Sequence, residues 1–436
     1  MAAGAKAPPG GKPVALGQRI PWAIVVLALL IPLIGVINLA SASQATRPNL
    51  WLLQLAYMGI GVILAIGVIR VRTYMLEELA YPIYFAVNGL LLLVLVAGVT
   101  IKGSQRWLDL GPVNLQPSEL AKLSIILVTA RYFSRYRVLG GYTLRMLFMP
   151  LNVTRPLAMM GALIVGWSKF AEKLGIIEHN WIRVVGFVVA LIWLGAAIFV
   201  LVQKGIHHTR LVAPIDIPAL PFLLILVEPD LGTSLIVLAI AAVQVLFCGV
   251  RRSSLVIATL LGVSTVIFAW NFVMHDYQKR RVETFLNPEA DARGAGYHAT
   301  QSKIAIGSGQ FTGKGHGEGT QTQLSFLPEN HTDFVFSVLA EEQGFVGAAL
   351  LLALFAALIS FIVLDAKPVG NRFAVLVNVG AAAMLFWHVL INIGMVTGLM
   401  PVVGVTLPLM SYGGSSLLTQ IIAISFAINT RVWRRG

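Results

Sequence analysis

The longest apolar run in the chain extends from Phe334 to Leu364, and only Glu341, Glu342 and Gln343 interrupt it with strongly polar groups. A bilayer core is crossed by roughly 20 consecutive apolar residues, so this run is long enough to span it. The polar stretch that ends at Asp333 comes directly before the run. We therefore predict that this stretch lies at one membrane face, with Asp333 where the helix begins.

Composition extends the same prediction to the whole chain. Hydrophobic residues make up 57% and charged residues only 12%, whereas soluble domains carry about 25% charged residues. We predict an all-α polytopic membrane protein whose spans are Ile20–Ala40, Trp51–Ile69, Tyr81–Thr100, Pro117–Tyr132, Pro156–Trp167, Trp181–Gln203, Ile215–Val227, Leu231–Val250, Leu255–Met274, Phe334–Leu364, Phe373–Ile393 and Ser415–Ile428.

The distribution of basic residues orients these spans. The predicted inner loops and tails hold 19 Lys and Arg, and the short outer loops hold six. Because positive charge collects on the cytoplasmic side, both termini are expected inside. The net charge of +13 then reflects topology rather than nucleic-acid binding. Residues 1–18 are predicted to be a disordered cytoplasmic tail, and residues 275–333 a large outer loop. The single cysteine, Cys248, excludes a disulfide within the chain.

The segment 151–215 is the part of the topology that the pattern determines least. Pro156–Trp167 is shorter than an ordinary crossing. The charge bias downstream requires that both segments of this region cross or that neither does. We favour two crossings, with a re-entrant or interfacial pair as the alternative.

Two polar motifs interrupt the apolar spans before the outer loop. Glu119 and Lys122 are three residues apart, on one helical face inside a span, where ionisable groups pair or face a wet cavity. They predict either a structural ion pair or the wall of a cavity for a charged substrate. Glu228-Pro229-Asp230 separates two apolar runs and predicts a tight turn in which Asp230 caps the next helix.

Asp333 admits two interpretations. As a helix N-cap it would satisfy backbone N–H groups. As a functional carboxylate it would orient or deprotonate a sugar hydroxyl, or hold a divalent cation with Glu329 as a second ligand. A helix N-terminus favours the ionised carboxylate, which suits orienting and metal binding better than strong basicity. The Gly- and Pro-rich stretch 392–416 supports an outer pocket, because irregular backbone at membrane depth must be buried or line a cavity.

Several longer motifs together resemble the SEDS family (shape, elongation, division and sporulation), most closely its elongation-type members. They are KGSQRWLDLG, QPSELAK, EPDLGTS, GAGYHATQSKIAIGSG, FLPENHTDF and SYGGSS, in this order. The resemblance implies a ten-helix core, so that segment 151–215 becomes an inserted hairpin and the total about twelve spans. It further implies a peptidoglycan glycosyltransferase that polymerises lipid II at the outer membrane face for cell elongation and shape.

The resemblance also implies roles for individual residues. The essential acid of the HTDF motif falls on Asp333, and a divalent cation, Mg²⁺ or Mn²⁺, is expected near Asp333 and Glu329, with no organic cofactor. Lys122, Arg106 and Lys314 are candidates to hold the substrate pyrophosphate. The full set of expected substrate-binding residues is Glu119, Lys122, Lys102, Arg106, Lys303, Lys314, Glu329, His331 and Ser411.

The implied setting is the bacterial cytoplasmic membrane. The expected partners are a class B penicillin-binding protein, lipid II, membrane lipids and other membrane proteins of the elongation complex. Two other functions stay open, a lipid II flippase and a non-enzymatic scaffold for the penicillin-binding protein. The roles of Glu341 and Glu342 stay open as well: they pair with cations across the bundle or transmit partner contact.

Overall fold

A computed structural model describes residues 20–44, 47–101, 104–109, 111, 114–136, 138, 140–148, 214–272, 274, 276–287, 295–324, 326, 329–366 and 371–433. The predicted tail 1–18, Lys102, and nearly all of the predicted insertion 151–215 lie outside these residues. The two predicted spans Pro156–Trp167 and Trp181–Gln203 therefore stay predictions.

The described part of the chain contains fourteen helices and one small sheet. The first helices are α1 (Trp22–Ala42), α2 (Leu50–Arg70) and α3 (Thr73–Ala97), followed by strands β1 (Val99–Ile101), β2 (Ser104–Asp109) and β3 (Asn114–Leu115). Next come α4 (Pro117–Arg135), α5 (Leu144–Phe148), α6 (Asp216–Val227), α7 (Leu231–Phe247) and α8 (Arg252–Phe272). The remaining helices are α9 (Asp276–Leu286), α10 (Ala295–Ser308), α11 (Thr320–Gln323), α12 (Val335–Asp365), α13 (Arg372–Val396) and α14 (Gly414–Val432).

The predicted polytopic helical fold is confirmed. Within the described residues, five helices are long and apolar enough to cross a membrane: α1, α2, α3, α12 and α13. Helices α6 and α7 are apolar but shorter. The bundle packs its most polar span, α4, against α3, α7 and α13 at the centre. Helix α4 lies at the centre because lipid tails offer no hydrogen-bond partner to its polar side chains.

The predicted span Tyr81–Thr100 is wrong at both ends. Helix α3 begins at Thr73 and ends at Ala97, and Thr100 lies in strand β1. Strands β1 and β2 form an antiparallel hairpin with Val99 opposite Trp107, and β2 pairs with β3 through Leu108 and Leu115. The β-branched residues after the helix favour extended backbone, which explains where the helix stops.

Helix α12 is broken inside the run predicted as one continuous span. Gly344 has φ 64° and ψ −163°, a conformation that is nearly restricted to glycine. The chain from Gln310 to Gly315 packs along the break: the Lys314 N–H donates to the Glu341 carbonyl at 3.1 Å, and the Phe345 N–H donates to the Gln310 carbonyl at 2.9 Å. The loop therefore satisfies backbone groups that the break removes from the helix.

Replacing Gly344 should destabilise the protein strongly. A Cβ there would lie 2.3 Å from the Gly313 backbone nitrogen, in addition to the backbone strain. We expect Gly344→Ala to lower the free energy of unfolding by at least about 2 kcal/mol, measured by thermal unfolding in detergent. Gly59→Ala is the matched control, because a Cβ on Gly59 of α2 meets nothing within 4 Å. Equal stability of the two variants would contradict the break.

Candidate functional site

Asp333 lies in a turn just before α12, and the N-cap interpretation of this residue is wrong. The helix begins at Val335, so Phe334 occupies the cap position. The carbonyl of Glu329, a residue with φ 54°, accepts the N–H groups of Thr332, Asp333 and Phe334 at 3.1 to 3.3 Å. This turn ends the outer loop and leaves Asp333 half-buried.

The backbone of Asp333 is held by a buried side-chain amide. Asn392 of α13 donates from Nδ2 to the Asp333 carbonyl at 2.9 Å and to the Val405 carbonyl at 2.7 Å. Gly404, with φ 74°, brings its backbone so close that a Cβ there would lie 3.6 Å from Asp333 Oδ2. The irregular chain after α13 therefore lies beside the carboxylate as a wall, and the outer pocket predicted for stretch 392–416 stays a prediction.

The residues that flank Asp333 have different environments. The His331 ring lies 6.2 Å from that of Tyr412, and the His331 carbonyl accepts the Tyr412 N–H at 2.9 Å. Ser411, predicted to bind substrate, is only 5% exposed, and its hydroxyl oxygen accepts the Leu407 N–H at 2.8 Å. Its geometry is that of a residue that stabilises a turn in the wall.

Glu119 and Lys122 form a buried ion pair, as one of the two sequence interpretations stated. Lys122 Nζ lies 2.7 Å from Glu119 Oε1 and 2.9 Å from His388 Nε2, and the lysine is fully buried. His388 Nδ1 is 3.1 Å from the Thr406 carbonyl, which can only accept a proton. The imidazole therefore carries its proton on Nδ1 and accepts a hydrogen bond from Lys122 at Nε2.

This buried group and Asp333 are joined through α13. His388 and Asn392 are four residues apart, so they share one face of the helix, about 6 Å apart along its axis. They bind the consecutive carbonyls of Thr406 and Val405. The sequence analysis did not single out His388. The signal that could have found it is its spacing to Asn392 within an apolar run.

The turn Glu228-Pro229-Asp230 has the predicted structure. Asp230 caps α7, accepting the Thr233 N–H at 3.2 Å. Arg106 of β2 donates to the carbonyls of Glu228, at 3.0 Å, and of Pro229, and its guanidinium is 3.8 Å from Asp230 Oδ2. Arg106, predicted to hold pyrophosphate, is therefore engaged in fixing the sheet onto this turn.

Lys314 also forms an ion pair within the protein. Its partner is one of the two acids of α12 whose roles the sequence left open. Lys314 Nζ lies 2.7 Å from Glu341 Oε1, and Glu341 is fully buried. Glu342 accepts a hydrogen bond from the Ser41 hydroxyl and lies 3.2 Å from His316 Nδ1. Glu341 therefore pairs with a lysine, as one interpretation predicted for both acids, whereas Glu342 contacts a serine and a histidine.

Glu228 is a buried acid that favours its neutral form. Its side chain is 1% exposed, and neither carboxyl oxygen has a hydrogen-bond partner among the described residues. Burial, and then the negative charge of Asp230, raise the pKa of Glu228 to about 9, while Arg106 opposes the shift. The side chain is therefore protonated in the folded protein at neutral pH.

The stability of the protein should fall between about pH 4.5 and pH 9 because of Glu228. The unfolded chain releases this proton near pH 4.5, whereas the folded protein keeps it until about pH 9. Rising pH in that window favours unfolding by up to about 1.4 kcal/mol per pH unit. Glu228→Gln should therefore match the parent at pH 5 and exceed its unfolding temperature at pH 8. Asp109→Asn, at an exposed carboxylate, is the control. Parallel pH profiles for Glu228→Gln and the parent would contradict this assignment.

Removing the charge of Lys122 alone should be far more damaging than removing it together with that of Glu119. Lys122→Met leaves a buried carboxylate unpaired, and we expect a loss of about 3–5 kcal/mol in unfolding free energy. The double variant Glu119→Gln, Lys122→Met removes both charges and should recover most of that loss. Thermal unfolding of the three proteins checks this, and a double variant as unstable as Lys122→Met would refute a paired structural role.

Comparison with known proteins defines the family of this multi-pass membrane protein. The family model for the FtsW, RodA and SpoVE cell cycle proteins matches residues 18–165 and 187–435. The chain belongs to this family, as the sequence motifs predicted. The unmatched residues 166–186 lie within the segment predicted as an insertion.

Individual relatives match over nearly the full chain. The peptidoglycan glycosyltransferase MrdB of Escherichia coli K12 is 36% identical, over 94% of this chain and 93% of that protein. The stage V sporulation protein E of Bacillus subtilis is 30% identical, over 94% and 97%.

Two solved structures share the fold. One, from a peptidoglycan synthase complex that coordinates polymerization and crosslinking, aligns with a TM-score of 0.68 and 29% identity, over 94% of this chain and 97% of that one. The other, a mutant form of the rod shape determining protein RodA of Thermus thermophilus, aligns with a TM-score of 0.60 and 27% identity, over 96% and 99%.

Proposed function

We propose that this chain is a peptidoglycan glycosyltransferase that polymerises lipid II, with Asp333 acting on the acceptor sugar. The function is the one named for its relative MrdB. The observation that supports the site is the placement of Asp333: a half-buried carboxylate at the entrance of a span, with its backbone held by Asn392 and an irregular wall beside it. A carboxylate in such a place is accessible to a polar substrate attached to a membrane lipid.

The reaction is a single displacement at a sugar carbon. The acceptor hydroxyl oxygen forms a bond to the anomeric carbon of the donor, and the bond from that carbon to the lipid pyrophosphate breaks. The bonding pair leaves with the pyrophosphate, and the hydroxyl proton passes to a base. Asp333 orients the hydroxyl and receives this proton. Pyrophosphate is a good leaving group, so no acid is required to protonate it, in contrast to glycoside hydrolysis.

We propose that a divalent cation binds at Asp333 and is held partly by substrate. The described residues contain no group of three or more His, Cys, Asp or Glu side chains able to hold a metal. Mg²⁺ commonly uses one or two carboxylates together with substrate phosphates. Asp333 would supply one carboxylate, and Glu329, whose Oε2 accepts the Thr332 hydroxyl at 3.2 Å, a second. A bound cation would neutralise charge on the pyrophosphate.

The cellular setting is proposed on the same basis. The structural neighbour from a synthase complex that joins polymerization to crosslinking supports a penicillin-binding protein as partner, and we propose one of class B. The bias of basic residues supports cytoplasmic termini and an outer position for Asp333, in the bacterial cytoplasmic membrane.

Polymerisation should depend on the charge of Asp333. Asp333→Asn keeps the shape of the side chain but removes its basicity, and we expect at least a hundredfold slower polymerisation of lipid II by the reconstituted protein with its partner. Asp109→Asn, at an exposed carboxylate of β2, is the control and should retain the parental rate.

Three results would contradict the proposal. An Asp333→Asn variant that polymerises at the parental rate would remove the catalytic role. Transfer of labelled lipid II across vesicles without glycan formation would favour a flippase. If the variant still forms the complex with its partner, and glycan synthesis does not depend on Asp333, a scaffold would be favoured.

A further inference from the structure

The proposed reaction needs cations for a lipid-linked pyrophosphate, and the three residues expected to hold it, Lys122, Arg106 and Lys314, all have partners. Lys122 is fully buried between Glu119 and His388. Arg106 is bonded to the turn before α7, and Lys314 to Glu341. A phosphate could reach any of them only by breaking an internal contact, so the pyrophosphate site should lie elsewhere.

A groove with different properties lies between α9, α10 and the chain that follows α13. Its lining contains two cations, Arg281 and Lys303, one hydroxyl, that of Thr284, and apolar side chains that include Phe285, Met400 and Pro401. A polyprenyl pyrophosphate likewise has a polar and an apolar part, since an anionic head is joined to an apolar chain. The groove therefore offers both kinds of contact to one amphiphile.

The two cations of this groove differ from the three above in their contacts with the described residues. Lys303 is exposed and Arg281 is half-buried. Among the described residues, neither cation has a carboxylate within 4.0 Å or a hydrogen-bond partner. This separates them from Lys122, Arg106 and Lys314. An arginine and a lysine together suit a phosphate group, because the guanidinium binds two oxygens at once and the ammonium adds a second charge.

The backbone of the groove accommodates the lysine closely. Gly398 has φ 76°, and a Cβ at this position would lie 3.0 Å from Lys303 Cδ. Any larger residue would push against the aliphatic part of Lys303. The glycine thus allows the side chain to lie along the wall of the groove.

The groove shares the segment after α13 with the wall beside the candidate catalytic residue. The Ser302 hydroxyl donates to the Val396 carbonyl at 2.7 Å and lies 2.7 Å from the Ser337 hydroxyl oxygen. Ser337 is the third residue of α12, which begins two residues after Asp333. Val402 of the groove is two residues before Gly404, whose backbone adjoins the Asp333 carboxylate. The groove and Asp333 therefore lie along the same irregular segment.

We infer that Arg281 and Lys303 bind the pyrophosphate of a polyprenyl-pyrophosphate substrate or product, with its first isoprene units against Phe285, Met400 and Pro401. The inference rests on the proposed function, since it concerns the lipid carrier of that reaction. Thr284 can donate a further hydrogen bond to a phosphate oxygen.

Binding can be tested without turnover, which separates this inference from the catalytic role of Asp333. The full chain is placed in nanodiscs of zwitterionic lipid, and the Kd for undecaprenyl pyrophosphate is measured by thermophoresis. Arg281→Gln and Lys303→Gln should each raise the Kd about tenfold, the effect of losing one charged hydrogen bond. Arg280→Gln, at an exposed cation that is adjacent in α9 but does not line the groove, should leave the Kd within twofold.

Each other outcome has a defined meaning. Binding by Arg281→Gln and Lys303→Gln at parental affinity, or equal weakening by Arg280→Gln, would overturn the site. Undecaprenol, which lacks the pyrophosphate, should not compete. Phosphatidylglycerol added to the nanodiscs should compete only weakly, and competition equal to that of undecaprenyl pyrophosphate would reassign the groove to membrane headgroups and overturn the inference. Because the binding measurement involves no turnover, a failure of Asp333→Asn to polymerise would leave this result intact.

Discussion

The arrangement of the candidate site depends on one buried amide, that of Asn392. Asn392 satisfies the carbonyls of Asp333 and Val405, two positions where the chain is not helical. Unpaired carbonyls at membrane depth are costly, so these two irregular segments are stable only when they meet at Asn392. One turn earlier in α13, His388 binds the next carbonyl and Lys122. A single face of α13 thus connects the candidate catalytic carboxylate to the ion pair inside the bundle.

The break in α12 allows the two acids of this helix to reach partners in the outer loop and in α1. Glu341 and Glu342 interrupt an apolar run, where uncompensated charge is unfavourable. Because the helix opens at Gly344, the loop around Lys314 can approach closely enough to bond to backbone and side chain together. Gly309 and Gly313 of this loop therefore pack closely against the backbone of α12. Among the described residues, the groove beside α10 presents two cations without a carboxylate partner, Arg281 and Lys303.

The sequence predicted the features that depend on short separations or on overall hydrophobicity. The apolar runs gave most of the spans, the i, i+3 spacing gave the Glu119–Lys122 pair, and the turn pattern gave the Asp230 cap. Contacts between distant segments were not predictable in this way. His388 is 266 positions from Lys122, and Lys314 is 27 from Glu341, so no local spacing indicates either contact. The break at Gly344 was missed because one glycine in an apolar run is usually tolerated in a helix.

The account depends on Asp333 facing the outside of the cell, beside a space that lipid-linked sugar can enter. The most direct test is thiol accessibility at this position. Cys248 is the only cysteine, so Cys248→Ser combined with Asp333→Cys gives one reporter thiol. A membrane-impermeant maleimide added to intact spheroplasts should label residue 333, and lipid II should slow the labelling. Labelling only after the membrane is permeabilised would place the residue on the inner side and contradict the account.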